Sequence, residues 1–376
     1  MANEKKTIRN FKWFDYKVIG TVLIIKFLIL GFAYQSYMVV TDQPIQGAYE
    51  FLGMWKRWDA VHYVSISELG YTAVGEHRFM IVFFPFYPLL IAAFSVIIGD
   101  NLVSAFIVSG LASVALGLVF RELVKLDYSE RIAQFAVFFL FIFPTSFVLH
   151  IPYTESLFLA LTVGCFLAAR KRSWILAGIL GGLACLTRIN GLILFPALLF
   201  EVWNEYDETK QFNRKWFCLA MIPFGFTAYL ALNYFVTGNP TMFLVHQREH
   251  WNKYLDVPWH GIWEAFKSTI YRKPSESIMI GFQESLFVLI GLFATIAGWR
   301  HLRGSYRVWM IANWLLFVST SFILSVPRYT LVLFPLFILM AVQAVRNWWA
   351  NVLFIVWSIL FLSLFTTQFI RGWWAF

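Results

Sequence analysis

The feature that most limits this chain is a succession of apolar blocks, each near the roughly 20 residues that cross the hydrocarbon core of a bilayer. They lie at 18–40, 82–98, 102–121, 132–149, 153–169, 174–203, 216–236, 279–299, 306–325, 328–345 and 350–370. Apolar residues make up 60% of the 376 and charged residues 14%. Soluble domains usually carry about 25% charged residues. The pattern excludes a soluble cytosolic enzyme, a disordered chain and a disulfide scaffold. It also excludes a β-barrel, whose strands alternate polar and apolar residues. The expected fold class is an all-α polytopic membrane protein, with one integral membrane domain over 1–376.

The 174–203 block is too long for one helix and is interrupted by Thr187-Arg188-Ile189-Asn190-Gly191, so two short helices should meet at that turn. Two stretches, 41–81 and 237–278, are too polar to span. They are the segments large enough to hold a site outside the bilayer. Cys165, Cys185 and Cys218 each sit inside an apolar block and read as packing residues. The first block is too long for a cleaved signal. It is read as the first transmembrane helix, with Lys26 either snorkelling or facing protein.

Topology follows from the basic residues. If every block crosses once, Arg170-Lys171-Arg172 falls on the face opposite the basic N-terminus, against the positive-inside rule. The 82–98 block opens with Phe83-Phe84-Pro85-Phe86-Tyr87-Pro88, a poor spanning sequence and a good half-buried one. Removing it as a span leaves eleven helices, the N-terminus inside and the C-terminus outside. The inner loops then carry about twice as many basic as acidic residues, and the outer ones are nearly balanced. Both large loops, 41–101 and 237–278, become extracytoplasmic. The net charge of +9 is thus explained by topology and anionic lipid, with no nucleic-acid partner.

Four clusters gather on the outer face. In the first, Asp59 lies among Arg57, Trp58, His62 and Tyr63. A carboxylate beside basic groups stays ionised and suits a general base, although Trp, Tyr and Arg also anchor ordinary membrane surfaces. The second holds Tyr153 and Glu155 after Pro152, either a helix start favoured by the dipole or a second acid facing the same cavity. The third holds Arg188 and Asn190. An Arg in an apolar stretch needs a partner, and either a phosphate or Glu155 would serve. The fourth joins Arg328 to His246, His250 and Trp251 of the second loop, where a lipid phosphate or plain solvation accounts for the residues. Together they describe an outward-facing site for a lipid-phosphate substrate.

Arg57-Trp58-Asp59-Ala60-Val61-His62-Tyr63 resembles the RWDAxxY signature of the GPI mannosyltransferase II (PIG-V) family. Gly70-Tyr71, Phe83 to Leu89, Pro152 to Phe158 and Leu186 to Gly191 follow in similar order. The resemblance covers about 55–200 and continues more thinly through Trp251, Arg328-Tyr329 and Phe334-Pro335. It implies a GT-C glycosyltransferase architecture, with juxtamembrane helices after the first outer loop and a polyprenyl-phosphate sugar as donor. Carried over by position, Asp59 is the catalytic base, Glu155 a second acidic position, and Arg188 a basic residue near the donor phosphate. The chain looks more like the compact prokaryotic members, so a cytoplasmic membrane is expected and a GPI-precursor acceptor is not assumed.

The resulting expectation is an inverting hexosyltransferase, with mannose as the first sugar and a lipid or glycan as acceptor. No DxD motif occurs, and no cofactor is required on this reading; a divalent ion between Asp59 and Glu155 is allowed but not expected. A lipid-linked sugar transporter or flippase, a non-catalytic scaffold and the same fold with another donor sugar are the alternatives. The flippase lacks the paired halves common among transporters.

Overall fold

The computed structural model describes residues 15–274 and 277–376. The basic residues before Asp15 lie outside them. The described residues form helices and no strand, with one isolated bridge between Leu255 and Thr320. The order is α1 (Tyr16–Thr41), α2 (Ala48–Gly53), α3 (Asp59–Leu69), α4 (Phe86–Ile98), α5 (Asn101–Val124), α6 (Glu130–Ile142), α7 (Glu155–Arg170), α8 (Trp174–Cys185) and α9 (Leu194–Thr209). There follow α10 (Met221–Thr237), α11 (Met242–Glu249), α12 (Pro258–Tyr271), α13 (Gln283–Gly298), α14 (Gly304–Val318), α15 (Val326–Tyr329), α16 (Pro335–Arg346) and α17 (Trp348–Ile370).

Among the described residues, five helical segments are long and apolar enough to cross a bilayer: Tyr16–Thr41, Asn101–Val124, Arg214–Thr237, Ile278–Gly298 and Trp348–Ile370. Two bent pairs raise the number to seven. Other expected spans are present as shorter helices, among them α6, α7, α8, α9 and α14. One bent pair, Glu76–Val82 with Phe86–Ile98, turns through 113°. At 1.5 Å per residue α4 measures roughly 20 Å, short of the ~30 Å hydrocarbon core.

Burial explains the layering. In α1 only Val18, Val22, Ile25, Ile29 and Ala33 are buried, a single stripe at helical spacing. Ile24, Phe27 and Leu28 on its other side are exposed, as expected of a surface whose solvent is lipid. Lys26 faces protein: a β-carbon on Gly110 would lie 2.8 Å from its Nζ. By contrast α7 is buried along nearly its whole surface, as a central helix must be, and it packs lengthwise on α5. The 174–203 block does divide, with α8 ending at Cys185 and α9 starting at Leu194. Small residues bring α8 against α10: a β-carbon on Gly182 would lie 2.8 Å from the Met221 carbonyl oxygen. Such close backbone approach is a usual route to helix association in lipid, and here it fixes the turn carrying Arg188.

The bundle has two chemically distinct ends. At one, Arg170 grips Asp127 through two hydrogen bonds of 2.7 and 2.8 Å. Nearby Arg303 holds Glu201 at 2.9 Å, and Arg121 joins Asp15 and Glu130 at 2.9 and 2.7 Å. These are the loops that the charge count assigns to the inner face. At the opposite end of α7 stands Glu155, surrounded by the residues of the four clusters.

Candidate active site

Asp59 is the first residue of α3, where a carboxylate is favoured by the helix dipole. The residue before it, Trp58, has φ 52° and ψ −126°. A bulky side chain in that region costs of order 1–3 kcal/mol and persists only where surrounding structure enforces it. The Trp58 ring meets Trp374 edge-on at 5.2 Å between centroids. Arg57, just upstream, turns its guanidinium away from the site: Nε donates to the Met54 carbonyl at 3.0 Å, and its own carbonyl accepts from the Tyr153 hydroxyl at 3.2 Å.

Arg328 arrives from the far side of the chain. Its short helix α15 is preceded by Ser325, itself at φ 71°, and Glu284 caps it. The Glu284 carboxylate accepts from the Ser325 and Val326 backbone N–H groups, both at 2.7 Å. Thr145 Oγ1 donates to the Pro327 carbonyl at 2.9 Å. So fixed, Arg328 is 4% exposed and donates from Nη1 to Asp59 Oδ2 at 2.7 Å, with Nε 3.3 Å from Glu155 Oε1. Arg188 Nη1 donates to the same Glu155 oxygen at 2.5 Å and to Thr154 Oγ1 at 3.0 Å.

The result is a chain of alternating charge: Asp59, Arg328, Glu155, Arg188. Glu155, 1% exposed, sits behind the two arginines and orients both. It does not line the cavity. Asp59 is about a third exposed, and Oδ1 accepts no hydrogen bond from the described residues. Asp59 lies outside the candidate spans. Burial pushes its carboxyl pKa up, but the charge and hydrogen bond of Arg328, helped by His62 and Arg188, hold it below the ordinary carboxylate value. His62 is pushed down by burial, although Asp59 pulls the other way, and it is neutral at neutral pH.

A cavity of about 570 Å³ opens over this chain. Of the expected site residues, Trp58, Asp59, His62, Tyr63, Arg188, Asn190, Trp251 and Arg328 line it. Asn190 is held by Asn313, whose Oδ1 accepts from Asn190 Nδ2 at 2.7 Å. Tyr153 lies under Arg328, whose guanidinium carbon stands 5.3 Å from the ring centroid. His250 stacks on Phe79 at 4.0 Å, and His246 meets the same ring edge-on at 5.1 Å; neither lines the cavity.

Lys253 of the second loop and Tyr329 of the Arg328-Tyr329 pair, both in the fourth cluster of the sequence, also line the cavity, and so does Trp374, which the sequence reading of the site does not include. Lys253 stands 5.6 Å from the Tyr329 ring; a lysine in a polar loop carries no mark of its orientation. Tyr329 lies beside Arg328 and lines the same cavity. Trp374 comes from the tail beyond α17, which carries no motif. Among the described residues, no group of three or more His, Cys, Asp or Glu side chains is arranged to hold a metal ion.

Comparison with known proteins bears on the family and the fold. Residues 84–236 match the family model of dolichyl-phosphate-mannose-protein mannosyltransferases. The chain is similar to GPI alpha-1,6-mannosyltransferase 2 of Cricetulus griseus, 33% identical over 170 residues, covering 42% of this chain and 33% of that protein. It is 30% identical over 162 residues to GPI mannosyltransferase 2 of Cryptococcus neoformans, covering 40% and 37%. The match thus spans about a third of the length of these relatives. Among solved structures, ArnT from Cupriavidus metallidurans bound to undecaprenyl phosphate superposes with a TM-score of 0.50 at 17% identity, over 88% of this chain and 60% of that one. That likeness assigns the GT-C fold.

Proposed function

We propose, for a chain that belongs to the GPI mannosyltransferase 2-like proteins of GT-C fold, that it transfers a hexose from a polyprenyl-phosphate donor to a lipid or glycan acceptor. Mannose is the sugar we assign first. The observation that carries the reading is the placing of one partly exposed carboxylate, Asp59, against Arg328, with Arg188 lining the same cavity.

The acceptor hydroxyl gives its proton to Asp59, its oxygen attacks the anomeric carbon, and the bond from that carbon to the phosphate oxygen breaks on the opposite face. One displacement inverts the centre, so a β-linked donor gives an α-glycoside. The donor phosphate is a diester with one negative charge, and the departing polyprenyl phosphate gains a second. Arg328 and Arg188 are suited to meet that charge, the kind of preorganised stabilisation that supplies much of enzymatic rate enhancement. Lys253 adds a third cation to the same wall. In this scheme the arginines supply the neutralising charge and no metal ion takes part.

Arg328 also links the two halves of the reaction. In the resting site it holds the Asp59 carboxyl low, which ensures ionisation but weakens basicity. As charge grows on the phosphate, the pull of Arg328 shifts from Asp59 toward the leaving group. The carboxylate then becomes the stronger base as the acceptor proton moves. The site stands at the end of the bundle opposite the basic network around Arg121, Arg170 and Arg303, which supports an extracytoplasmic reaction by the positive-inside rule.

The test is transfer by purified protein. Radiolabelled polyprenyl-phosphate mannose is supplied with a lipid extract, and the expected result is label in a new lipid or glycan. Donor that binds saturably with no product would point to a carrier of lipid-linked sugar instead.

A further inference from the structure

Residues Gly372–Phe376 pack against the site. Helix α17 ends in a reversal at Gly372, φ 76°. The Gly372 N–H reaches the Phe369 carbonyl at 2.9 Å, and the Trp373 N–H reaches back to Gln368 at 3.0 Å. That six-residue return bond with a left-handed glycine is the Schellman pattern of a helix C-terminus. The positive φ favours glycine here, and the Arg57 guanidinium lies against it, since a β-carbon on Gly372 would fall 2.6 Å from Arg57 Nη1. The conspicuous Arg57 of the first cluster therefore braces this turn.

The reversal sends Trp374 into the cavity wall beside Trp58 and lays Phe376 over Arg328. The guanidinium carbon of Arg328 is 4.7 Å from the Phe376 centroid, 5.2 Å from Tyr329 and 5.3 Å from Tyr153. Phe376 is itself 1% exposed, seated between Tyr153 and Phe369 at 6.0 Å from each. Three rings thus enclose one guanidinium. Aromatic faces attract a cation without accepting its N–H bonds in the manner of a carboxylate. Arg328 Nη2 makes no hydrogen bond to any described residue, so the box orients the group and leaves a donor for a ligand. Excluding water also preserves the strength of its charge on Asp59 and on any anion in the cavity.

We infer that Phe376 is a positioning residue: the tail Gly372–Phe376 is a strap that holds the Arg328 guanidinium dry and oriented for the donor phosphate. The inference rests on the reading of Arg328 as a donor-phosphate ligand. Three variants separate the ring from its bulk. Phe376→Tyr keeps the ring, Phe376→Leu keeps most of the volume, and Phe376→Ala removes both.

For Phe376→Leu the expected result is a donor KM raised about 5- to 30-fold, the range for losing one desolvated cation–π contact, with kcat changed less. The acid limb of the kcat/KM profile moves to higher pH, since a loosened Arg328 holds Asp59 down less well. Phe376→Tyr should restore both. A second readout needs no turnover: an arginine-selective dicarbonyl followed by peptide mass spectrometry should modify Arg328 in Phe376→Ala and spare it in the wild type and Phe376→Tyr. A Leu variant with wild-type donor KM and acid limb, or Arg328 modified equally in wild type and Phe376→Ala, would overturn the inference. A wild type that binds no polyprenyl-phosphate donor while Arg328 remains shielded by Phe376 would instead remove the proposed function and keep the strap.

Discussion

Replacing Arg328 with Gln is the perturbation whose consequences the structure specifies most fully. The side chain is 4% exposed and serves two carboxylates, Asp59 at 2.7 Å and Glu155 at 3.3 Å. Breaking a buried ion pair from one side usually costs about 3–5 kcal/mol because a charge is left uncompensated. Here the cost to folding should be smaller. Glu155 keeps Arg188 at 2.5 Å, and Asp59 is about a third open to the cavity and regains water. The larger loss is catalytic. Removing one preorganised group that stabilises developing negative charge lowers kcat by about 10²–10³.

A second signature follows from the same contact. A carboxyl depressed by a cation is ionised down to a lower pH, so wild-type activity persists as pH falls and is lost only through that depressed pKa. Without Arg328 the burial of Asp59 is less well opposed, its pKa rises, and the acid limb moves to higher pH. The assay is labelled-sugar transfer across a pH series, with kcat and KM separated. Arg328→Lys, which keeps the charge but not the fork, should fall between the two. An Arg328→Gln variant with kcat within about threefold of wild type and an unmoved acid limb would show that Arg328 neither stabilises the leaving phosphate nor holds Asp59 ionised.

Three further outcomes follow. Glu155→Gln leaves Arg328 and Arg188 facing each other without their shared anion, so donor KM should rise about tenfold and thermal stability drop by about 3 kcal/mol or more; unchanged melting and KM would remove Glu155 from the positioning role. Gly182→Leu forces a side chain into the Met221 backbone and should abolish folded, monodisperse protein in detergent; normal yield and melting would show that α8 and α10 do not depend on that approach. Lys171→Cys, in a background without Cys165, Cys185 and Cys218, should react with an impermeant thiol reagent only after the membrane is opened; labelling from outside would invert the topology.

Much of the fold is readable from the chain because the bilayer dictates it. Apolar runs had to be helices, and Thr187 to Gly191 had to interrupt one of them, since no lipid-facing helix accommodates that sequence unbroken. The number of full spans is less legible: α8 and α14 are bounded by polar turns, and hydropathy alone does not say how neighbours complete a short helix. The four clusters were visible singly, because charge near a membrane boundary needs a reason. The Arg188–Glu155 pair is one of the two partnerships the sequence offers for Arg188; the Asp59–Arg328 pair is not legible there. Asp59 and Arg328 lie 269 positions apart, and the packing of α3 on α5, of α5 on α7 and of α7 on the turn Thr330–Val332 after α15 makes them neighbours. Orientation was hidden too: Glu155 faces the arginines rather than the cavity, and His246 and His250 lie on Phe79. The tail from Arg371 to Phe376 reads like an aromatic anchor at a membrane surface. Only the backbone reversal at Gly372 turns it into a wall of the site.

In the proposed reaction Asp59 takes the acceptor proton in a site that binds a polyprenyl-phosphate sugar. The most direct measurement compares wild type with Asp59→Asn, reading donor binding and single-turnover transfer in the same preparations. The variant should bind donor within a few-fold of wild type, and its transfer step should fall by about 10²–10⁴. Transfer at the wild-type rate in Asp59→Asn would contradict the account at its core.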